Sequence, residues 1–325
     1  METFIEKSEI LFLYEGKFTI PNGDPFTGEQ RYDEETKHIL VSDVRIKRFI
    51  RDYFIEQNQI VPNKYEVFVF NDKSQIAEGS KESGASARMQ SLWAKYYPTN
   101  KPDKKQLPKI AIELMQKCID VRLFGGISTE KDAAVNITGP VQFALLNPSL
   151  NKSDLRIHQN TSLFSSSADK SRGAIGTTSV VPYSLNQIHG WINPYSAKES
   201  NLNQEDIDEM FSALWNSINN SNTRSKSNQN SLLLVQIIYN NANDKLYGID
   251  RLIAIKTDKE EEQIREMSDY KFDFSELAVA ASSVKVKEIR YFTEIPEISN
   301  AISALKHDRI KPMKKLHHER IETTY

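Results

Sequence analysis

The chain has 325 residues, 39% of them apolar and 26% charged, with a formal net charge of −2. That is enough apolar material for one large domain or two ordinary ones, and it excludes long disorder as the main state. No apolar run reaches the length of about 18 residues that a membrane-spanning helix needs. Residues Met1 to Ile10 carry acids rather than an apolar block of signal-peptide length. The lone cysteine, Cys118, excludes an intrachain disulfide and suits a reducing cytoplasm, the location expected. The near-neutral balance also means that any affinity for nucleic acid must come from cations gathered on one face.

In chain order, residues 9–20 predict a strand, with Ile10, Phe12 and Tyr14 at a spacing of two. It stops at the dense turn signal Pro21-Asn22-Gly23-Asp24-Pro25, and a polar loop is expected to about Leu40. Ser42 opens a predicted helix to about Gln57, with Asp43 in the first turn where the helix dipole favours an acid. Ile46, Phe49, Ile50, Tyr53 and Phe54 fall on one side of it, and Arg45, Lys47, Arg48 and Arg51 on the opposite side. Residues 64–70 predict a second strand. Residues 81–118 predict two helical pieces broken at 97–102, and about 71–118 is read as an insertion. Then follow Ile119 to Leu123, a loop at Phe124-Gly125-Gly126, and a strand from Gly139 to Leu146. Residues 158–178, rich in Ser, Thr and Gly, predict a long exposed hairpin or a mobile loop. Residues 179–192 predict a strand, and Asn203 or Asn201 caps a helix over Gln204–Asn219. A Ser/Asn-rich loop at 219–230 leads to a strand at 231–239. A strand at 250–257, a charged helix at 258–268, strands near 270–274 and 284–292 and a basic tail complete the chain, without internal repeats. This order is compatible with a ferredoxin-like or RRM-like α+β core.

Residues 42–51 hold four cations and one anion, a local +3 against a global −2. Such a run is either a solvated helix face or a track on which each cation meets a backbone phosphate. The free N–H groups near Ser42 to Val44 add donors for the second reading. The histidines, His38, His158, His189, His307, His317 and His318, lack metal-ligand spacing, and no nucleophile elbow, P-loop or dinucleotide fingerprint is present. The chain is therefore expected not to be an enzyme and to need no cofactor or metal.

The stretch Ile20-Pro21-Asn22-Gly23-Asp24-Pro25, then Asp33-Glu34-Glu35-Thr36, then Val41 to Tyr53, resembles the opening of the Cascade backbone family of CRISPR systems, part of the RAMP superfamily, most closely its type I-B branch. Ile20 stands where relatives often carry Asn. Asp120-Val121-Arg122-Leu123-Phe124-Gly125-Gly126 and Thr138-Gly139-Pro140-Val141-Gln142-Phe143 look like two further family elements. So do His158, Thr161, Gly176-Thr177, Val181-Pro182-Tyr183 and Gly190-Trp191-Ile192, and the resemblance spans about residues 10–240.

The resemblance implies a right-hand shape: an RRM-like palm (residues 1–70, 119–157 and, with C-terminal elements, 179–325), a helical fingers insertion (71–118) and a protruding thumb hairpin (158–178). It implies copies stacked in a helical filament on one crRNA, each thumb folding over RNA held by a neighbour, so that the guide is displayed for target DNA. Other Cascade subunits and a recruited nuclease-helicase would be partners, with no membrane. RNA contacts carried over are Asn22, Ser42, Arg45, Lys47, Arg48 and Arg51 in the palm and Phe124, Gly125 and Gly126 in the glycine loop. In the thumb they are His158, Thr161, Lys170, Arg172 and Thr177, with Leu163, Phe164 or Ile175 as a base wedge. Read without the family, Phe124-Gly125-Gly126 is a tight turn and the thumb a surface loop. Arg224 and Lys226 are weaker contact candidates. Two other readings stay open: a type III-like backbone that cuts target RNA with Asp24 or Asp33, and a stand-alone RNA-binding regulator.

Overall fold

The computed structural model describes residues 5–69, 84–98, 105–129, 132–161, 175–313 and Leu316. In chain order the elements begin with β1 (Ser8–Thr19), β2 (Tyr32–Asp33), β3 (His38–Ser42), α1 (Asp43–Ile60), α2 (Ala85–Tyr96), α3 (Leu107–Gln116) and α4 (Ile119–Phe124). Next come β4 (Gly125–Ser128), β5 (Val135–Thr138), β6 (Val141–Phe143), β7 (Leu146–Lys152), β8 (Arg156–Thr161) and β9 (Ile175–Ile192). The chain continues with α5 (Pro194–Ser200), α6 (Gln204–Asn219), β10 (Gln229–Tyr239), β11 (Ala254–Lys256), β12 (Lys271–Asp273), α7 (Ser275–Ala281), β13 (Val286–Phe292), α8 (Pro296–Ser303) and β14 (Ile310–Pro312). This is the α+β mixture expected.

The main sheet runs β14-β13-β10-β1-β9-β7-β3-β2, with β6 and β8 also paired to β9. Its neighbours are antiparallel except β13 and β14. Strand β1 is the axis. Its alternate residues Ile10, Phe12 and Tyr14 enter one core with Phe49 and Phe54 of α1 and Met210, Leu214 and Trp215 of α6. The intervening Leu11 and Leu13 enter a second core with Val235, Ile237, Ile253, Phe274, Leu277 and Ile298. Both faces of the sheet are covered, so the apolar run of β1 is continuous rather than alternating. A third core joins α2 and α3 to Val135 and Ile137 of β5.

Several elements differ from expectation for identifiable reasons. Residues 64–69 form no strand, because the Phe68 and Val69 N–H groups donate to the Asp120 carboxylate at 2.7 and 3.0 Å and the Glu66 carbonyl accepts from Ile119. The charged helix expected at 258–268 is instead two short 3-10 turns, at Glu261–Gln263 and Met267–Asp269. Only Ile264 and Met267 are apolar there, too few for a helical stripe. The polar loop before Leu40 contains β2 and β3; the strand at 139–146 is split between β6 and β7; and the one at 250–257 shrinks to β11. Helices α5, α7 and α8 were not anticipated. α6 begins where expected, with Asn203 and Asp206 forming a reciprocal capping box.

The Phe124-Gly125-Gly126 loop is also corrected. Phe124 ends α4 and is buried, and the glycines open β4, paired in register with Thr138 and Ile137. Gly125 has φ +81, and a Cβ on it would meet the Ile137 carbonyl at 2.3 Å; one on Gly139 would meet the Phe124 carbonyl carbon at 2.0 Å. The missing side chains let two backbone segments of this chain touch.

Candidate nucleic-acid interface

The turn after β1 is locked to the start of α1. Asn22 Oδ1 accepts from both the backbone N–H and the hydroxyl of Ser42, each at 2.7 Å, while the Asn22 N–H donates to Gln30. Both residues are about 95% buried, so Ser42 occupies the N-cap position without capping the helix through its side chain.

The α1 cations do not line one open face. Lys47 donates to Asp43 at 3.2 Å and to Gln142 Oε1 at 2.9 Å. Gln142 in turn donates to the Gly139 and Phe124 carbonyls. Arg51 pairs at 2.9 Å with the fully buried Asp120. Arg48 pairs with Asp52 at 2.6 Å on the exposed side. Arg45 lies over the Phe49 ring at 3.7 Å; its Nε is buried without a hydrogen-bond partner, and burial holds its guanidinium below the usual arginine range. The expectation of four cations opposite the apolar face is therefore corrected: Arg48 alone is well exposed, and the apolar side needed so much of the helix circumference that the other three sit on its flanks.

Arg45 shares a cavity of about 460 Å³ with Asp52, Glu56, Thr223, Ser225 and Lys226. Lys226 donates to the Ile20 carbonyl, and burial, helped by the Arg45 charge, pulls its ammonium down to about 7. Burial, then the Asp52 charge, pushes the Glu56 carboxyl up.

Strands β8 and β9 form a hairpin. Residues Ile175 to Val180 of β9 pair with β8, whereas β1 pairs with β9 only from Val181 onward, so the hairpin runs on past the end of β1. His158 stands opposite Thr178 on it and Thr177 opposite Gln159, and both named site residues are exposed. Thr161 pairs with Ile175 at the last described rung. Lys170, Arg172, Leu163 and Phe164 lie outside the described residues. Asp24 accepts from the Phe26 N–H and pairs with Arg31 at 3.0 Å, and Asp33 accepts from Thr36 at 2.5 Å. These bonds hold both carboxyls below the usual range.

Arg156, at the root of the hairpin, was missed; no periodicity marks it, and only the pairing of β8 with β9 reveals its place. The other motif residues converge on one hub. Asp120 holds Arg51 and the 68–69 backbone, while Arg122 grips Asp206 of α6 through two bonds of 2.6 and 2.8 Å. Among the described residues there is no cluster of three or more metal-ligating side chains, and no helix long and apolar enough to cross a membrane.

Fold and surface thus define an α+β protein whose mostly antiparallel sheet carries a hairpin running past the end of β1, with basic side chains at its root. The chain matches the family model for CRISPR-associated protein Cas7 over residues 6–275, and it belongs to that family. A curated relative, the CRISPR-associated protein Cas7 of Haloferax volcanii, is 26% identical over 296 residues, covering 85% of this chain and 82% of its own length. In the solved structures, a chain of a CRISPR RNA-guided surveillance complex, pre-nicking, is similar in fold, with a TM-score of 0.50 at 13% identity over 90% of this chain and 93% of that one.

Proposed function

We propose that this protein is a crRNA-binding backbone subunit of a type I CRISPR surveillance complex, of the I-B kind. Copies polymerise along one guide RNA and present it for pairing with target DNA. In this reading β10-β1-β9-β6, with α1 after β1 and α6 after β9, is an RRM-like palm; this strand order is the ferredoxin-like one. Residues 71–118 are the fingers and 158–178 the thumb. The C-terminal segment covers the second face of the sheet, so RNA lies along α1 and the hairpin root rather than across the strands. The protein acts as a cytoplasmic scaffold without catalysis, alongside the subunit that processes crRNA, a PAM-reading subunit and a recruited nuclease-helicase.

The observation that carries this reading is the hairpin running past the end of β1 in a chain of this family. Contacts to the sugar-phosphate strand are sequence-independent, and target sequence is read by base pairing. The test is to purify the protein from cells with and without a repeat array. RNA of regular length and higher-order assembly are expected only in the first preparation, and their absence there overturns the proposal.

A further inference from the structure

The cavity of about 460 Å³ between α1 and the segment that follows α6 brings two cations together and gives neither an anion. Arg45 makes no hydrogen bond or ion pair among the described residues, and its Nε is buried. Lys226 has one bond, to the Ile20 carbonyl, and no ion pair among the described residues. The two carboxyls on the cavity wall do not serve them. Asp52 is taken by Arg48 at 2.6 Å, and the Glu56 carboxyl is pushed up by burial and then by the Asp52 charge. Tyr53 is the other titratable group on the wall. Next to it, the fully buried Tyr14 hydroxyl of β1 also lacks a partner and feels the Arg45 charge.

Two desolvated like charges without a counterion cost free energy. The arginine cannot shed its proton, so the lysine is the group that gives way. Burial and the neighbouring guanidinium bring its ammonium down to about 7 from an ordinary 10.5. At about pH 8 such an amine is about nine-tenths neutral, whereas an ordinary lysine is neutral in only about three parts per thousand. A neutral amine is a nucleophile, and here it lines a cavity whose other cation is still without an anion. An electrophile that is small, uncharged on entry and anionic once attached suits both groups.

We propose that Lys226 is a carbamylation site, at which the side-chain amine adds to CO2 and the resulting carbamate is held by the Arg45 guanidinium. The nitrogen lone pair forms the N–C bond, one C=O π-bond opens onto its oxygen, and one N–H proton leaves to solvent. Amine and CO2 thus give carbamate and a proton, with no oxidant or further reactant. The nitrogen keeps one hydrogen, which can go on donating to the Ile20 carbonyl. The reaction turns a like-charge pair into an opposite one, and the two carbamate oxygens suit the guanidinium fork. Dissolved CO2 thereby ties the segment carrying Lys226 to α1. The site is independent of the RNA-binding reading.

The test equilibrates the purified full chain with carbon-13-labelled CO2 at about pH 8, reads the carbamate resonance by NMR, and traps the adduct with triethyloxonium for peptide mass spectrometry. One trapped adduct on Lys226 is expected, and its resonance should be absent from Lys226→Met. Arg45→Gln should lower the labelled fraction at the same CO2 pressure. The parent's thermal midpoint should rise with CO2, because the gas binds the folded state, and that of Lys226→Met should not. At fixed dissolved CO2 the labelled fraction should grow as pH is raised through 7. The proposal is overturned if the parent takes up no label, or if the trapped adduct lies only on the N-terminal amine or on surface lysines. It is equally overturned if Lys226→Met keeps the resonance, or if inorganic phosphate raises the parent's midpoint through Lys226 while CO2 does not, which makes the cavity a plain oxyanion site. Should Arg45→Gln fail to fold, the parent and Lys226→Met decide the matter by themselves.

Discussion

Arg51 and Arg48 are separated by less than one turn of α1 and have different work. Arg51 neutralises Asp120, which is fully buried and also accepts from two backbone N–H groups. Asp120→Ala strands a cation and two donors together, and removing one partner of such a pair costs about 3–5 kcal/mol. A large fall in the denaturation midpoint is expected, and an unchanged midpoint would show the hub to be unimportant. Arg48 is half exposed and paired with Asp52 in helical i,i+4 geometry, worth about 0.3–0.5 kcal/mol. Arg48→Ala should therefore leave stability nearly unchanged while lowering the salt dependence of RNA binding by about one phosphate contact. Lys226 adds a pH signature. Its folded ammonium titrates at about 7 against an ordinary 10.5, so the folded state binds fewer protons than the unfolded state across that interval. Stability should rise as pH climbs from 7 toward 10, with the full penalty present below 7. Lys226→Met should flatten that rise in denaturation curves taken across this range. An identical slope in both proteins would show that Lys226 is not the group responsible.

At the scale of elements, the hairpin and α6 illustrate two kinds of dependence. Thr161 and Ile175 are directly paired, so an Asn-Gly turn can replace residues 162–174 and close the strands in register. The shortened protein should keep its thermal midpoint, because the rungs of β8 lie beyond the end of β1, and should lose RNA-dependent assembly in sizing experiments. A lowered midpoint would make that segment part of the core. For α6, Asn203→Ala removes a cap that binds the Asp206 N–H at 2.9 Å, and Asp206 also holds Arg122. A loss of about 1 kcal/mol is expected from the cap itself, with more if Asp206 moves and loosens Arg122.

At the scale of the whole molecule, the chain is a sheet covered on both faces. Residues 249–302 shield Leu11, Leu13, Tyr183, Leu185 and Val235. Ending the chain at residue 248 should expose this face and drive the protein into aggregates, measured as loss of the soluble fraction. Near-neutral net charge fits this arrangement, because most cations on α1 are already matched by carboxylates within the chain.

Much was readable from the linear chain. Strand β1, helix α1, the two helical pieces before Cys118, α6 with a cap at Asn203 or Asn201, and β10 all follow from local periodicity and capping, which act over a few residues; the structure chooses Asn203. The family was readable because its motifs are contiguous. Tertiary structure alone decided what those motifs do. The conformation of Phe124-Gly125-Gly126 depends on contact with Gly139, the state of residues 64–69 on a carboxylate about fifty positions away, and the exposure of Lys47 and Arg51 on partners from other elements. Burial and ion pairing are properties of neighbours in space, and a pattern of spacings along the chain carries no record of which distant residue will arrive beside it.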